Sequence, residues 1–269
     1  MTHHADALWV LLSQSPAILV SVAQTQGSVP RERGAWMAVF ADRVIGTVGG
    51  GHLEYSAITD ARQQLPTAVQ PWRRSMALGP SLGQCCGGRV QLLFEPVNAG
   101  DRDALRQRLV WPRHPVALFG AGHVGHAVVR ALAPLPFALR WVDSRDGVFP
   151  ADVSPHIRTE HSNPLQAAVH DLMPNTRVLV MSFSHAEDLE VIHACLQRQR
   201  TQQDLPFVGL IGSRTKWAAF ARRLLDRGFT DKELQHVTCP IGLPGITGKA
   251  PPVIAASVAA QLLLHLDTI

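Results

Sequence analysis

The stretch VALFGAGHVGHAVVRAL, residues 116–132, constrains the fold of this chain more than any other. An apolar run ends at Gly120, and Gly120, Gly122 and Gly125 then open a segment with helical spacing. Glycines at this spacing between a strand and a helix have separate physical uses. The first permits a tight turn, the second lets a phosphate approach the backbone, and the third lets the helix pack on the strand. The apolar runs that follow, ALRWVD, RVLVMSF and PFVGLIG, alternate with helical stretches. Strands buried on both faces read this way, and helices between them call for a parallel sheet. Residues 113–269 are therefore expected to form an α/β, Rossmann-like doubly wound parallel-sheet domain. Asp143 ends ALRWVD, where a carboxylate can accept ribose hydroxyls. Arg145, two residues on, suits either a 2′-phosphate or solvent.

The first half has another character. ADALWVLLSQ is amphipathic, and AILVSVAQT carries β-branched residues in alternation. WMAVFADRVIGTV reads as a hairpin turning at Ala41, Asp42 and Arg43, and HLEYSAITDARQQL as a helix with Leu53, Ala57, Ile58 and Ala61 on one face. WRRSMALG and RVQLLFEPV are a further strand pair around SLGQCCGGRV. This is an N-terminal mixed α/β module, residues 1–112, whose boundary falls within the charged, helix-prone NAGDRDALRQRLVWPRHP, residues 98–115.

Both halves offer candidate ligand contacts. In the first, GSVPRERGA and GTVGGGHLE can form an anion-binding nest from the backbone N–H groups of Gly49, Gly50 and Gly51, supplemented by Arg31 and Arg33. Glu54 is by default a helix-start carboxylate, with a catalytic acid as the outside alternative. Cys85 and Cys86 can be inert and buried, or thiols with a lowered pKa in a glycine loop beside Arg89. In the second half, His123 is either a solvated loop residue or a donor to a bound phosphate. His185 and Asp188 stand at the carboxyl edge of a strand, where ligands sit in open α/β sheets, although Asp188 equally suits a helix cap. Ser213 is a natural N-cap for the next helix. Arg214 and Lys216 in its first turn oppose the dipole, as exposed charges or as ligands of an anion held there. Cys195 reads as core, and Cys239 carries no signal.

Bulk properties exclude several classes. A 269-residue chain with 46% apolar residues fills a real core. Its net charge of +4 is spread out, which disfavours a nucleic-acid track. No apolar run reaches the roughly 18 residues of a membrane span. The N-terminus lacks a cationic stretch and a cleavage site, so no signal peptide is read and the cytoplasm is the expected location. Adjacent cysteines have Cα atoms about 3.8 Å apart, below the roughly 4.4 Å a disulfide needs, so Cys85 and Cys86 are expected as free thiols. A zinc site needs about four ligands, and no spaced partners accompany them.

The stretches GSVPRERGAWM, GTVGGGHLE, LGQCCGGRVQLLFEP, FGAGHVG, GLIGSRTK and CPIGLPGITGKAPPVIAASVAAQLL, in this order, resemble the xanthine dehydrogenase accessory protein family, XdhC, related to CoxI. The resemblance covers nearly the whole chain. It implies a cytoplasmic maturation factor that binds the molybdenum cofactor (molybdopterin), supports its sulfuration by a cysteine desulfurase and inserts it into xanthine dehydrogenase or a related molybdenum hydroxylase. It also implies Cys85 and Cys86 as the groups nearest the cofactor, with contact to molybdenum, and Gly49, Gly50 and Gly51 as backbone donors. Two stretches depart from the pattern, PGI before Thr247 and Ser184 where the family carries threonine. A homodimer is compatible with this reading, which is of a cofactor chaperone rather than a turnover enzyme. The alternative, an NAD(P)-dependent oxidoreductase built on Gly120, Gly122, Gly125 and Asp143, rests on the glycine fingerprint alone.

Overall fold

The computed structural model describes residues 2–78, 87–109, 113–154 and 157–266. Cys85 and Cys86 lie outside the described residues. The chain divides into two compact units, Met1–Trp111 and Pro112–Ile269.

The first unit contains α1 (Thr2–Leu12), β1 (Ala17–Gln26), β2 (Trp36–Val39), β3 (Val44–Gly46), α2 (Gly51–Gln64), β4 (Trp72–Ala77), β5 (Arg89–Val97) and α3 (Arg102–Leu109). Its antiparallel sheet has the order β3-β2-β1-β5-β4. The central β1 starts as an unbroken apolar run because helices cover both faces. Ile18, Val20 and Val22 pack with Leu53, Ala57 and Ala61 of α2 on one side. Ala17 and Leu19 pack with Leu8 and Leu12 of α1 and with Leu105 and Leu109 of α3 on the other. Alternate residues of a strand point to opposite faces, so one run feeds two cores. The β2–β3 hairpin closes where expected, Phe40 donating its N–H to the Arg43 carbonyl at 2.9 Å.

The second unit contains β6 (His114–Phe119), α4 (His123–Leu132), β7 (Phe137–Asp143), β8 (Ile157–His161), β9 (Arg177–Val180), α5 (His185–Gln202), β10 (Phe207–Leu210), α6 (Arg214–Asp226), α7 (Asp231–Leu234), β11 (Val237–Thr238) and α8 (Pro251–Leu264). The sheet order is β11-β10-β9-β6-β7-β8, and every pairing is parallel. This is the Rossmann strand order, in which the direction of winding reverses between β6 and β9. Ala117, Phe119, Val178, Val180, Val208 and Leu210 face α5 and α6. Val116, Leu118, Leu179 and Phe207 face α4 and α8. The expected strands appear as β6, β7, β9 and β10. The outer strands β8 and β11 escaped the apolar pattern: IRTEH has no fully buried residue and β11 is two residues long. Among the described residues, no helix is long and apolar enough to cross a membrane.

Candidate functional site

In an open parallel sheet the crevice lies at the carboxyl ends of the strands where winding reverses, here beyond β6 and β9. The backbone leaves β6 through Gly120 at φ +122°, a region that side chains rarely adopt. A Cβ there would stand 2.1 Å from the Met181 carbonyl oxygen, so the loops after β6 and β9 touch backbone to backbone. A Cβ on Gly125 would stand 2.2 Å from the Gly120 carbonyl oxygen, which is the close helix–strand approach expected of the third glycine. The buried Trp141 fixes the turn from behind, its Nε1–H donating to the Gly120 carbonyl at 3.0 Å. Gly122 leaves open space where a side chain would be, and His123 is exposed in the first turn of α4.

Asp143 is 1% exposed and its carboxylate turns inward. Oδ2 accepts from the Ala121 N–H at 2.6 Å and from Arg145 Nη2 at 3.0 Å, while Oδ1 accepts from the Arg145 N–H and Nε, both at 2.9 Å. A carboxylate has about four lone-pair sites, and this one fills them within the chain. The acceptor expected for ribose hydroxyls is thus a brace for the glycine turn. Burial works to raise the pKa of Asp143, but hydrogen bonds from the Arg145 side chain and from the Ala121 and Arg145 amides outweigh it and hold the carboxyl below its ordinary range. Because the folded-state value lies below the unfolded one, the contribution is complete above about pH 4 and disappears as pH falls through the lowered value. Urea midpoints measured against pH should show the advantage of the wild type over Asp143→Asn shrinking below about pH 4. An advantage independent of pH over that range would contradict the assignment.

Lys216 is likewise not available to a ligand. Its Nζ reaches down to Asp188 Oδ2 at 2.6 Å and to the Ile211 carbonyl at 2.9 Å. Asp188, 1% exposed, also accepts from the Ser182 N–H at 2.8 Å. The pair ties the loop after β9 to the one after β10. Ser184 rather than Asp188 caps α5, accepting from the Ala186 N–H, and Ser213 caps α6 as expected, accepting from the Lys216 N–H. His185 and Arg214 are exposed at the starts of those helices. Cys239 stands beside the pair; burial pushes its thiol up to about 11, against the pull of Lys216. Cys195 is core, its thiol pushed up to about 12 by burial. Ser257 and Gln261 on α8 had no signal in the sequence beyond being polar in an apolar helix. Their side chains accept from the Leu243 and Gly242 amides, each at 2.7 Å, and hold the loop that follows β11.

The first unit repeats the theme. Glu54 folds back over the glycine loop, accepting from the Thr47 hydroxyl, the Val48 N–H at 3.1 Å and the Gly50 N–H at 3.2 Å. The Gly49 N–H goes to Thr47 Oγ1 at 3.1 Å. The nest expected for an external anion therefore has Gly49 and Gly50 spent on the chain itself, while Gly51 begins α2. Three loops nevertheless meet at one end of this sheet. A Cβ on Gly49 would stand 2.6 Å from Pro30 Cγ and 3.6 Å from Arg31 Cγ, and one on Gly88 would stand 2.3 Å from the Ser28 carbonyl oxygen. Arg31 is half-buried and paired with Glu32 at 3.1 Å; Arg33 is exposed. Positions 50 and 87 have open space where a side chain would stand.

Two family profiles match the chain: the XdhC and CoxI family over residues 10–73 and the XdhC Rossmann domain over residues 116–262. A curated relative, the uncharacterized protein YqeB of Escherichia coli (strain K12), is 28% identical over 255 residues, or 92% of this chain and 43% of that protein. The chain thus spans less than half the length of that relative. A solved structure from Bacillus halodurans, described as a xanthine dehydrogenase, is similar with a TM-score of 0.79 at 21% identity, covering 97% of this chain and 95% of the other. At that identity the likeness speaks for the fold. Because the Rossmann profile alone covers over half of the chain, and does so on the unit whose strand order and glycine turn are described above, the chain belongs to the XdhC family.

Proposed function

We propose that the chain is an accessory factor for xanthine dehydrogenase or a related molybdenum hydroxylase, holding the molybdenum cofactor as cargo in its N-terminal unit and handing it over. The observation that carries this reading is the meeting of loops 27–31, 49–50 and 87–88 at one end of the first sheet. Gly87 directly follows Cys86 in the chain, and Arg31 and Arg33 belong to the same loop system. These residue types fit the cargo. Phosphate and pterin oxygens call for cations, and with the Val48 and Gly50 amides taken by Glu54 that task falls to Arg33 and to Arg31, which would exchange its Glu32 partner for the anion. A dithiolene-bound soft metal centre is suited by thiolates, which Cys85 and Cys86 supply. The partners would be the apo-hydroxylase and a cysteine desulfurase that exchanges an oxo ligand for sulfido, with the chain acting by binding rather than turnover.

The test is transfer. Full-length protein loaded with sulfurated molybdopterin cofactor, mixed with apo-xanthine dehydrogenase, should restore activity faster than the same amount of free cofactor. Equal rates, with and without the protein, would contradict the proposal.

A further inference from the structure

Strand order sets β9, β6 and β7 side by side, so the loops after β7 and β9 flank the mouth of the central strand. Two contacts bridge that mouth. The Arg145 guanidinium sits over the Phe183 ring, Cζ 4.8 Å from its centroid. Ser144 Oγ donates to Glu187 Oε1 at 2.6 Å. In a crevice of this type a nucleoside is held by an acceptor for its ribose hydroxyls at the end of the second strand, here Asp143, and by surface for its flat base.

Arg145 satisfies both from within the chain. Its Nε and Nη2 present two parallel donors to the two Asp143 oxygens, as a ribose diol would, and in the charge-assisted, bidentate form that is the stronger of such pairings. The same guanidinium covers Phe183, a ring that keeps 61% of its surface exposed and so is held there by little burial of its own. The Ala121 and Arg145 amides take the remaining acceptor sites of Asp143. We propose that Arg145 is a built-in occupant of the nucleoside seat and the residue that shuts adenine nucleotides out of this Rossmann unit. A glycine fingerprint followed by an acidic strand end would then coexist with no dinucleotide binding, because the fingerprint is kept for the turn and the seat is filled. This inference stands apart from the cofactor reading of the first unit.

Equilibrium dialysis of the full chain against ADP, ADP-ribose and NADH tests it. The wild type should show no saturable binding up to about 1 mM. Arg145→Ala, folded by circular dichroism, frees Asp143 and Phe183 together and should bind ADP-ribose at least about ten-fold more tightly than the wild type. That gain should vanish in Arg145→Ala/Asp143→Asn. Saturable wild-type binding below about 100 μM overturns the proposal whatever the variants do, and so does a folded Arg145→Ala that gains nothing. Retention of molybdopterin is unaffected by either outcome, so the two readings fail separately.

Discussion

Gly120→Ala should cost about 3 kcal/mol or more in urea denaturation, one of the largest losses available to a single methyl group in this chain. Two independent penalties add. The residue sits at φ +122°, where a Cβ is strained whatever surrounds it, and the added carbon would stand 2.1 Å from the Met181 carbonyl oxygen and 2.5 Å from its carbonyl carbon. Neither neighbour is a flexible side-chain end, so relief requires the loops after β6 and β9 to part. That movement also pulls the Gly120 carbonyl from Trp141 Nε1 and the Ala121 amide from Asp143. Gly122→Ala is the internal control. Its φ is −82° and a Cβ there meets nothing within 4 Å, so the cost should stay under about 1 kcal/mol. Equal losses at the two positions would show that the turn is not braced as described.

Lys216→Met is expected to lose about 3–5 kcal/mol, because it leaves the Asp188 carboxylate buried without its counter-charge. Lys216→Met/Asp188→Leu should recover part of that loss, since two apolar residues replace a buried pair at less cost than half a pair. Recovery is incomplete because the Ser182 N–H loses its acceptor. Arg214→Ala, two residues away and exposed, should fall within about 0.5 kcal/mol of wild type. A Lys216→Met loss below about 1 kcal/mol would place the ammonium outside the pair and return it to the list of surface cations.

The architecture was legible where burial imposes a pattern. The run AILV in β1 and the alternation of strand and helix after residue 116 are consequences of two-sided covering, and they survive into the sequence as unbroken apolar runs. Strands β8 and β11 lie at the two edges of the sheet, where one side is free and composition is unconstrained, so IRTEH and VT carried no signal. Polar residues were legible as important but not as to partner. Glu54, Asp143 and Asp188 each stand beside a glycine loop or strand end, and in each case the donors that suggested an external anion are met by one of these carboxylates. Spacing shows that a donor-rich turn exists; the folded arrangement decides what fills it. Among the described residues singled out in the sequence, Arg31, Arg33, His123, His185 and Arg214 are not drawn into those braces.

Under the proposed function, thiols in the first unit, and not the Rossmann turn, hold the molybdenum cofactor. The direct measurement is the molybdopterin and molybdenum retained per chain after gel filtration of full-length wild type, Cys85→Ala/Cys86→Ala and His123→Ala. Wild type and His123→Ala should retain the cofactor near-stoichiometrically, and the cysteine variant should lose at least about ten-fold in affinity. Retention that survives loss of both thiols, or that depends on His123, would contradict it.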